Sequence, residues 1–407
     1  IDGTGITRGA KDSNMGQAME DARQELEVSW SDDENDVITD ALLLTGVTGF
    51  LGIHVLDALL AETAADIYCL IRSKGEPEQR FDEVLAFYGK EHLRGNPRIK
   101  ILKADLEEPK LGLKPGMLDW LQENLNGIWH CGALVHHLYD YGRLRRANVQ
   151  ATIELLKLAA TGRKKSFNYI STLGTASIRD QEGRTVEVDV SARPISTNGY
   201  TLSKWVCEQI LTRVAAQGMQ VNIFRPGNIT SESVTGICKP EVNHTLLRIK
   251  GCLQMKAAPD WKRTTEMVPV DLLARAMLKL SNTSQEVNIY NMNNPYEIPW
   301  GEYVALFRNS GFRLELVPEP LWREEYLSNI GETNALYAIR GFYNRQDKEP
   351  AHRDIKPFFR WNSLETAHRL QDLGIFYLND YHGYMKTVIT WLVGSGFLAD
   401  LQEQEEI

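Results

Sequence analysis

A tyrosine and a lysine four residues apart are the residues of this sequence best suited to proton transfer. In a helix, the spacing of Tyr200 and Lys204 places both side chains on one face, so they can act at a single site. A phenol with a pKa of about 10 donates protons poorly at neutral pH, whereas a nearby ammonium group lowers that pKa. The pair therefore predicts a phenol tuned for general acid catalysis, although such pairs also arise by chance in helices.

A third candidate group lies upstream, where the predicted strand 166–170 is followed by Ser171 and Thr172. Ligands of open parallel sheets bind at the carboxyl ends of the strands. There the Thr172 hydroxyl can donate a hydrogen bond to an oxygen on which negative charge develops. Lys204 can also hold the ribose hydroxyls of a nucleotide.

Three glycines spaced by three follow the apolar run 41–44 and precede a segment with helical spacing at 53–60. Gly46 suits a tight turn, Gly49 lets the backbone approach a pyrophosphate, and Gly52 lets the helix pack on its strand. The helix N-terminus would direct its N–H groups at the phosphates, whereas a plain structural turn is the alternative. From this segment we expect cofactor contacts by Gly46, Thr48, Gly49, Phe50, Leu51 and Gly52.

The residue at the end of the second predicted strand favours NADPH. About 20 residues after the glycines, an acid accepts from a ribose 2′-hydroxyl, whereas an arginine suits a 2′-phosphate. Arg72 occupies this position, and the first acid downstream is Glu76. A solvated basic loop is the alternative. Asp105 and Leu106, after the third strand, are predicted to contact the adenine, although an aspartate that begins a surface loop needs no such role.

Strands that alternate with helices must position these residues. Strand patterns lie at 66–71, 99–104, 127–131, 166–170 and 220–224, and helical patterns at 79–88, 148–160 and 200–217. The alternation predicts an α/β fold, a Rossmann-type doubly wound parallel sheet with a smaller, mainly helical C-terminal domain. We expect residues 37–232 to form the NADP-binding domain, with 264–292 returning to it. Residues 233–263 and 293–407 would form the second domain, and the polar, then acidic residues 1–36 are predicted to be a linker within a longer polypeptide.

Composition excludes several classes of partner. The 407 residues are 43% hydrophobic and 24% charged, as in an ordinary globular protein, and the net charge of −9 argues against nucleic acid. Apolar runs fall short of the roughly 20 residues that span a membrane. The five scattered cysteines predict reduced thiols and a cytoplasmic protein. His130, His136 and His137 lack the spacing of a zinc site, so we predict no metal.

Three further segments have two interpretations each. The large aromatic residues could line a substrate tunnel or form core: Tyr139, Tyr141, Trp261, Trp300 and Trp322. Segment 251–261 is a candidate mobile lid. The basic excess within 239–263 would suit an acidic protein partner or a phosphate, or would be a solvated helix face.

Several motifs, in order along the chain, resemble the extended short-chain dehydrogenase/reductase superfamily. They lie at 45–52, 105–106, 148–152, 169–172, 200–204 and 225–228. The variants Thr-Gly-Val-Thr-Gly-Phe-Leu-Gly, Tyr-Ile-Ser-Thr and Phe-Arg-Pro-Gly-Asn-Ile are similar to terminal thioester reductase domains of nonribosomal peptide synthetases, polyketide synthases and carboxylic acid reductases. The resemblance covers about residues 40–290.

This resemblance implies a catalytic triad and a wider cofactor site. Thr172, Tyr200 and Lys204 correspond to the triad, Arg72 to the phosphate-binding basic residue and Pro226 to the loop beside the nicotinamide. The implied cofactor contacts also include Gly132, Ala133, Ser171, Pro226, Gly227 and Asn228. The chain departs from the family in having Cys131 where an Asn-Ala/Gly-type turn is usual.

The implied reaction is NADPH-dependent reduction of an acyl or peptidyl thioester, carried on the phosphopantetheine arm of a carrier domain. Tyr200 would donate the proton, and the product would be an aldehyde or, after a second reduction, an alcohol. An acyl-CoA reductase, a sugar-nucleotide dehydratase or epimerase, and a non-catalytic interaction module are the alternatives. The intact triad argues against the last of these.

Overall fold

The computed structural model of the protein describes residues 4–30, 40–136, 138–176, 190, 192–194, 196–282, 287–340 and 363–402. The chain divides into two units. Unit 1 comprises Ile1–Gly227, Asp271–Asn293 and Trp361–Phe376, and unit 2 comprises Asn228–Val270, Asn294–Arg360 and Tyr377–Ile407. Compared with the expected division, the first boundary lies at Gly227 rather than 232, and a further stretch near 361–376 joins unit 1.

The strands and helices have the following bounds. The strands are β1 (Ser29–Trp30), β2 (Ala41–Thr45), β3 (Asp66–Ile71), β4 (Ile99–Lys103), β5 (Gly127–His130), β6 (Thr161–Gly162), β7 (Ser166–Ile170), β8 (Val221–Pro226), β9 (Ile229–Thr230), β10 (Ala257–Pro259), β11 (Thr264–Thr265), β12 (Val268–Pro269), β13 (Val287–Met292), β14 (Ile298–Pro299) and β15 (Glu315–Val317). The helices are α1 (Thr4–Asp21), α2 (Phe50–Glu62), α3 (Pro77–Phe87), α4 (Pro115–Asn124), α5 (Tyr141–Arg145), α6 (Ala151–Ala159), α7 (Gly199–Ala215), α8 (His244–Met255), α9 (Val270–Ser281), α10 (Trp300–Arg308), α11 (Glu319–Leu321), α12 (Leu364–Asp372) and α13 (Tyr381–Gly394). A π-helical turn (Arg146–Gln150) joins α5 to α6, and a 3₁₀ turn (Leu173–Thr175) follows β7.

A seven-stranded sheet forms the centre of unit 1. Its strand order is β13-β8-β7-β5-β2-β3-β4, and all neighbouring strands are parallel. The chain moves from β2 to β3 and β4 on one side, and from β5 to β13 on the other, which is the doubly wound Rossmann arrangement. The predicted fold class is confirmed. The order reverses between β2 and β5, and the crevice outside their carboxyl ends is where ligands of such sheets bind.

The strands are apolar because helices cover both faces of the sheet. All six residues of β8 are buried, as are all four of β5. Such continuous burial is typical of parallel sheets. Helix α2 contributes Ile53, Leu56 and Leu59, each fully buried, and thereby fixes its own N-terminus beside the end of β2. Burying these side chains contributes about 1.5–3 kcal/mol each.

Residues 4–30, which the sequence predicted as part of a linker, form α1 and β1 and belong to unit 1. The Asp21 carboxylate accepts hydrogen bonds from the Tyr141 hydroxyl at 2.6 Å and from Arg145 Nε at 2.6 Å. Strand β1 pairs with β6, and Trp30 Nε1 donates to the Ala159 carbonyl oxygen at 3.0 Å. The polar composition of the segment hid the buried positions that attach it, among them Ala18, which is 0% exposed.

Unit 2 is mainly helical and has its own aromatic core. Trp261 packs against Trp300 and Trp322, with ring centroids 5.1 and 5.9 Å apart, and all three are buried. The Trp300 indole N–H donates to the Pro259 carbonyl oxygen at 2.9 Å. These tryptophans are therefore core. The segment predicted as a mobile lid, 251–261, forms the end of α8 and strand β10 and is largely buried.

Helices long and apolar enough to cross a membrane are absent from the residues that the structure describes.

Candidate active site

The glycine turn between β2 and α2 has the geometry of a phosphate cradle. Gly46 has a φ of +74°, and a Cβ added to it would lie 2.6 Å from the Gly132 nitrogen. A Cβ added to Gly52 would overlap the Gly46 carbonyl oxygen. Gly49 caps α2 without a side-chain hydrogen bond, and the first turn of α2 carries no acidic residue. This helix N-terminus therefore offers backbone N–H groups and positive potential to an anion, which fits a pyrophosphate.

A chain of hydrogen bonds behind the glycine turn fixes the state of His130. The Gly132 N–H donates to Thr45 Oγ1 at 3.0 Å, and the same hydroxyl lies 2.8 Å from His130 Nδ1. His130 Nε2 lies 3.1 Å from Thr152 Oγ1, whose hydroxyl donates to a main-chain carbonyl at 2.6 Å. The imidazole therefore carries its proton on Nε2. Burial, aided by the Lys204 charge, lowers the pKa of His130 to about 3.

His130 thus joins the ends of β2 and β5 to α6. Within the described residues, no group of three or more His, Cys, Asp or Glu side chains could hold a metal ion. His136 stacks on Tyr139 with ring centroids 3.5 Å apart, and His137 lies outside the described residues.

Arg72 follows β3 at the same edge of the sheet. Its side chain is 62% exposed, and Nη1 lies 3.1 Å from Glu107 Oε1 and 3.9 Å from Asp105 Oδ1. Asp105 also accepts a hydrogen bond from the Glu107 N–H at 3.0 Å, so it shapes its own loop. Leu106 Cδ1 lies 2.7 Å from where a Cβ on Gly132 would be. The predicted adenine-side residues therefore lie against the loop that follows β5.

The remaining predicted residues near the glycine turn occupy its borders. Thr48, Phe50 and Leu51 are partly buried, and Phe50 stacks on Tyr88 with ring centroids 5.7 Å apart. Ala133 is partly exposed after β5. Burial raises the pKa of the Cys131 thiol to about 12, so this departure from the family pattern is a neutral thiol at physiological pH.

Helix α7 brings Tyr200 and Lys204 against the end of β7. The Lys204 ammonium group donates to the Ile170 carbonyl oxygen at 2.6 Å and lies 4.6 Å from the Tyr169 ring centroid. A Cβ added to Gly174, in the turn after Thr172, would lie 3.0 Å from Thr201 Oγ1. The turn that carries Thr172 therefore packs directly on the first turn of α7.

Burial governs the ionisation of this pair. It raises the pKa of Tyr200 to about 12. It also lowers the pKa of Lys204 to about 8, although the nearby acidic groups of Cys207, Cys131 and Glu208 act to raise the lysine pKa. Lys204 Nζ lies 6.0 Å from the Tyr200 ring centroid. The sequence predicted that the ammonium would lower the phenol pKa, and this expectation was wrong for the structure, because burial desolvates the phenolate and raises that pKa. Tyr200 is a neutral phenol with a proton to donate.

Ser171 and Asn228 have hydrogen-bond partners within the protein. The Ser171 hydroxyl, predicted to contact the cofactor, donates to the Glu208 carboxylate. Pro226 is buried and Gly227 partly buried at the end of unit 1. Asn228 begins unit 2, where its backbone N–H donates to the Glu266 carboxylate and its side-chain amide donates to the Glu266 carbonyl oxygen at 3.1 Å. Its side chain is thereby fixed within unit 2.

Sequence reasoning missed the roles of three buried polar residues. Glu208 and Arg225 form an ion pair with an N–O distance of 2.6 Å, and both side chains are 0% exposed. His130 was seen only as part of a histidine cluster. Two features of the sequence could have indicated the ion pair. Glu208 lies four residues after Lys204 in the predicted helix, and Arg225 directly follows the predicted strand 220–224.

A Rossmann-type sheet with this glycine turn and this tyrosine–lysine pair is the architecture of a nicotinamide-dependent oxidoreductase. Residues 44–277 match the NAD-binding family described as "Male sterility protein". The chain belongs to this family, and it is an NAD(P)-dependent reductase.

Similar proteins include parts of large synthetases and reductases. The chain is 38% identical over 291 residues to a linear gramicidin synthase of Brevibacillus parabrevis, across 70% of this chain and 6% of that protein. It is 32% identical over 320 residues to the L-2-aminoadipate reductase large subunit of Eremothecium gossypii, across 73% of this chain and 23% of that protein. The chain therefore spans less than a quarter of the length of these relatives.

Among solved structures, the terminal R domain from the myxalamid PKS-NRPS biosynthetic pathway is similar over nearly its whole length. The identity is 29% and the TM-score 0.80, with 94% of this chain and 98% of that chain covered. The resemblance to terminal reductase domains is confirmed.

Proposed function

We propose that this protein reduces an acyl or peptidyl thioester, held on the phosphopantetheine arm of a carrier domain, and releases it as an aldehyde with NADPH as the reductant. The observation that carries the proposal is the packing of α7, with Tyr200 and Lys204, on the turn that holds Thr172, at the carboxyl edge of the sheet. The likeness of the whole chain to a terminal R domain supports thioester reduction as the reaction.

The described residues fit a dinucleotide phosphorylated on its ribose. The Gly46 turn and the N-terminus of α2 would hold the pyrophosphate, because the glycines keep this backbone free of their own side chains and the first turn of α2 carries no acidic residue. Arg72 would hold the 2′-phosphate. Its present ion pair with Glu107 is exposed, and such pairs contribute only about 0–1 kcal/mol, so a phosphate dianion can replace the carboxylate.

When bound, NADPH supplies a hydride to the carbonyl carbon of the thioester. Tyr200 gives its phenolic proton to the carbonyl oxygen as negative charge develops there. Thr172 Oγ1 accepts a hydrogen bond from the Gly174 N–H at 3.3 Å, which orients this side chain, and its hydroxyl would donate to the same carbonyl oxygen. Lys204 stabilises the phenolate that Tyr200 becomes. The C–S bond of the resulting hemithioacetal then breaks while its hydroxyl proton passes to the departing sulfur, which yields the aldehyde and the free thiol of the carrier arm. A proton from solvent restores the Tyr200 phenol.

Unit 2 supplies positive charge for an acidic carrier domain. The side chains of Lys239, Lys256 and Lys262 are exposed. Other basic groups of segment 239–263 lie on aromatic rings: the Arg263 guanidinium lies 3.2 Å from the Trp261 ring centroid, and Lys250 Nζ lies 4.2 Å from that of Phe397. We propose the exposed lysines as the docking charge, which would attract the carrier electrostatically.

The same proposal places the protein in the cytoplasm. All five cysteines are free, and four of them are buried, which suits a reducing compartment.

Product analysis tests the proposed reaction. The protein is incubated with NADPH and one acyl group presented on a carrier domain, on CoA or on free pantetheine, and the products are identified by mass spectrometry. We expect aldehyde, or alcohol if a second reduction follows, with the highest kcat/KM for the carrier-linked substrate. Preference for CoA would favour the acyl-CoA reductase alternative, and no turnover of any thioester would refute the proposal.

Substitution of Arg72 tests the choice of cofactor. Arg72→Ala removes charge-assisted hydrogen bonds of about 1.5–3 kcal/mol, so we expect KM for NADPH to rise about 10- to 100-fold with KM for NADH unchanged. Steady-state kinetics with both cofactors measure this. Arg94→Ala, which removes another exposed pair with an N–O distance of 3.0 Å, is the control. Equal effects on both cofactors would contradict the role of Arg72.

A further inference from the structure

One fully buried carboxylate collects four hydrogen bonds beneath the candidate active site. Glu208 Oε1 accepts from the Ser171 hydroxyl, from Thr175 Oγ1 at 2.7 Å and from Arg225 Nε at 3.0 Å. Oε2 accepts from Arg225 Nη2 at 2.6 Å. The side chains of Glu208 and Arg225 are both 0% exposed. The carboxylate therefore joins α7, β8 and the turn after β7 at one point.

Each end of this network is next to a candidate catalytic group in the chain. Ser171 and Thr175 enclose Thr172 in a single turn, and the Thr175 hydroxyl is also 2.7 Å from the Thr172 carbonyl oxygen. Glu208 lies one helical turn after Lys204, on the same face of α7. Arg225 directly precedes Pro226 at the end of β8. The network therefore contacts all three segments that form the site.

We propose that Glu208 and Arg225 are positioning residues for the reduction, which fix the Thr172 turn relative to Lys204 and to the end of β8. This inference rests on the proposed function. A buried ion pair loses much of its Coulombic energy to desolvation, so packed apolar residues would stabilise the fold as well. The pair instead fixes the orientation of the segments that carry Glu208 and Arg225, because bidentate charge-assisted hydrogen bonds have a defined geometry. Catalytic rates are sensitive to displacements of about 1 Å.

A second buried polar network in the same sheet provides a matched control. The side-chain amide of Asn222 donates to Asn168 Oδ1 at 2.8 Å, and the Asn288 amide donates to Asn222 Oδ1 at 2.9 Å. These residues cross-link β7, β8 and β13: Asn168 is the middle residue of β7, whereas Asn222 and Asn288 are each the second residue of their strands. Asn222 therefore lies towards the opposite end of β8 from Arg225. Asn222 is 0% exposed, like Arg225. Its loss should therefore affect stability without affecting the geometry of the site.

The double variant Glu208→Met, Arg225→Met separates positioning from folding. Because the buried charges are replaced together by apolar groups of similar length, we expect a Tm close to that of the wild type. We expect kcat to fall about 10- to 100-fold with KM for NADPH within twofold, because the glycine turn is untouched while Ser171 and Thr175 lose their acceptor. Asn222→Ala should lower Tm and leave kcat unchanged at temperatures well below that Tm.

Milder variants keep the test decisive if the double variant does not fold. Ser171→Ala and Thr175→Val each remove one donor without burying a charge, and each should lower kcat several-fold. The conservative variant Arg225→Lys should retain a higher kcat than Arg225→Met, because an ammonium group can still donate to the Glu208 carboxylate.

The outcomes separate this inference from the proposed function. A stable double variant with wild-type kcat, or Ser171→Ala and Thr175→Val variants that both keep kcat, would overturn the positioning role. A loss of kcat in Asn222→Ala in proportion to its loss of Tm would overturn it too, since any destabilisation would then suffice. A wild-type protein that reduces no thioester would instead refute the proposed function itself, and this inference with it.

Discussion

Burial determines what Tyr200 and Lys204 do at the scale of single residues. The phenol, with a pKa raised to about 12, holds its proton at physiological pH, and the lysine, with a pKa lowered to about 8, is mostly charged there. A proton donor and a cation at one site are what reduction of a carbonyl needs, because the oxygen gains negative charge as the hydride arrives.

Removal of the phenolic hydroxyl should abolish most turnover. Tyr200→Phe is expected to lower kcat by about 10²- to 10⁴-fold, the usual contribution of a general acid, with the Kd for NADPH changed by less than about twofold. Single-turnover kinetics and cofactor titration measure the two effects. Tyr68→Phe is the control, since the partly buried Tyr68 packs on Trp120 at the border of the core, with ring centroids 4.8 Å apart. Wild-type turnover in the Tyr200 variant would contradict its role as the acid.

The pKa of Lys204 predicts opposite trends for activity and stability at alkaline pH. As pH rises through about 8, the folded protein loses this ammonium charge, so kcat/KM should fall. The unfolded chain keeps the proton up to its ordinary pKa of 10.5, so between these values the unfolded state binds more protons and this residue's contribution to stability rises with pH.

Comparison with Lys204→Met isolates that contribution. The variant's free energy of unfolding, relative to the wild type, should be most favourable below pH 8 and should decline towards pH 10.5. Urea denaturation across this range is the measurement. A constant difference between the two proteins would show that Lys204 has no depressed pKa.

At the scale of elements, the glycine turn shows why β2 and α2 must meet as they do. The left-handed φ of Gly46 and its contact with the loop after β5 leave no room for a side chain. The packing of Gly52 on the Gly46 carbonyl then aims the N-terminus of α2 at the crevice. Two elements and one loop thus form the cradle together.

An alanine at position 46 should damage both folding and cofactor binding. The added Cβ costs about 1–2 kcal/mol for the left-handed conformation alone and would clash with the Gly132 backbone nitrogen at 2.6 Å. We expect a lower Tm and a KM for NADPH raised at least about tenfold. Gly116→Ala is the matched control, because Gly116 lies within α4 and has open space at its Cβ. That change should stabilise the protein by about 0.5–1 kcal/mol with kinetics unchanged.

At the scale of the whole molecule, unit 1 gathers three separate stretches of the chain. The first of these stretches includes α1 and β1, which attach through Asp21 to the helix α5. Gly199, immediately before Tyr200, packs on the backbone at the start of α5, where an added Cβ would lie 2.5 Å from the Asp140 carbonyl carbon. The beginning of the chain is thus a structural part of the unit that holds the candidate active site.

Asp21→Asn tests how firmly that segment is held. The change removes charge-assisted hydrogen bonds to Arg145 and Tyr141, so we expect a loss of about 1.5–3 kcal/mol and a Tm lowered by several degrees. Thermal unfolding and proteolysis near residues 22–28 are the measurements. Asp82→Asn, which breaks an exposed pair with Arg94, should leave Tm unchanged. An unaltered Tm in the Asp21 variant would show that α1 docks without this pair.

The sequence by itself determined the features that depend on neighbouring residues. Apolar runs that alternate with helical patterns predicted the doubly wound α/β fold, and the spacing of the glycines predicted the turn after β2. The spacing of Tyr200 and Lys204 placed both on α7. These patterns are readable because helix and strand periods act over a few residues.

Only the tertiary structure decided which polar groups are buried together. The hydrogen bond between Tyr141 and Asp21 joins residues 120 positions apart in the sequence, and that between Ser171 and Glu208 joins residues 37 positions apart. In the structure, residues 4–30 of the expected linker belong to unit 1. The Ser171 hydroxyl, expected to contact the cofactor, donates to the buried Glu208 carboxylate. The structure also reversed the expected direction of the Tyr200 pKa shift. Desolvation and hydrogen bonding depend on every element that surrounds a group, and those elements come from distant parts of the chain.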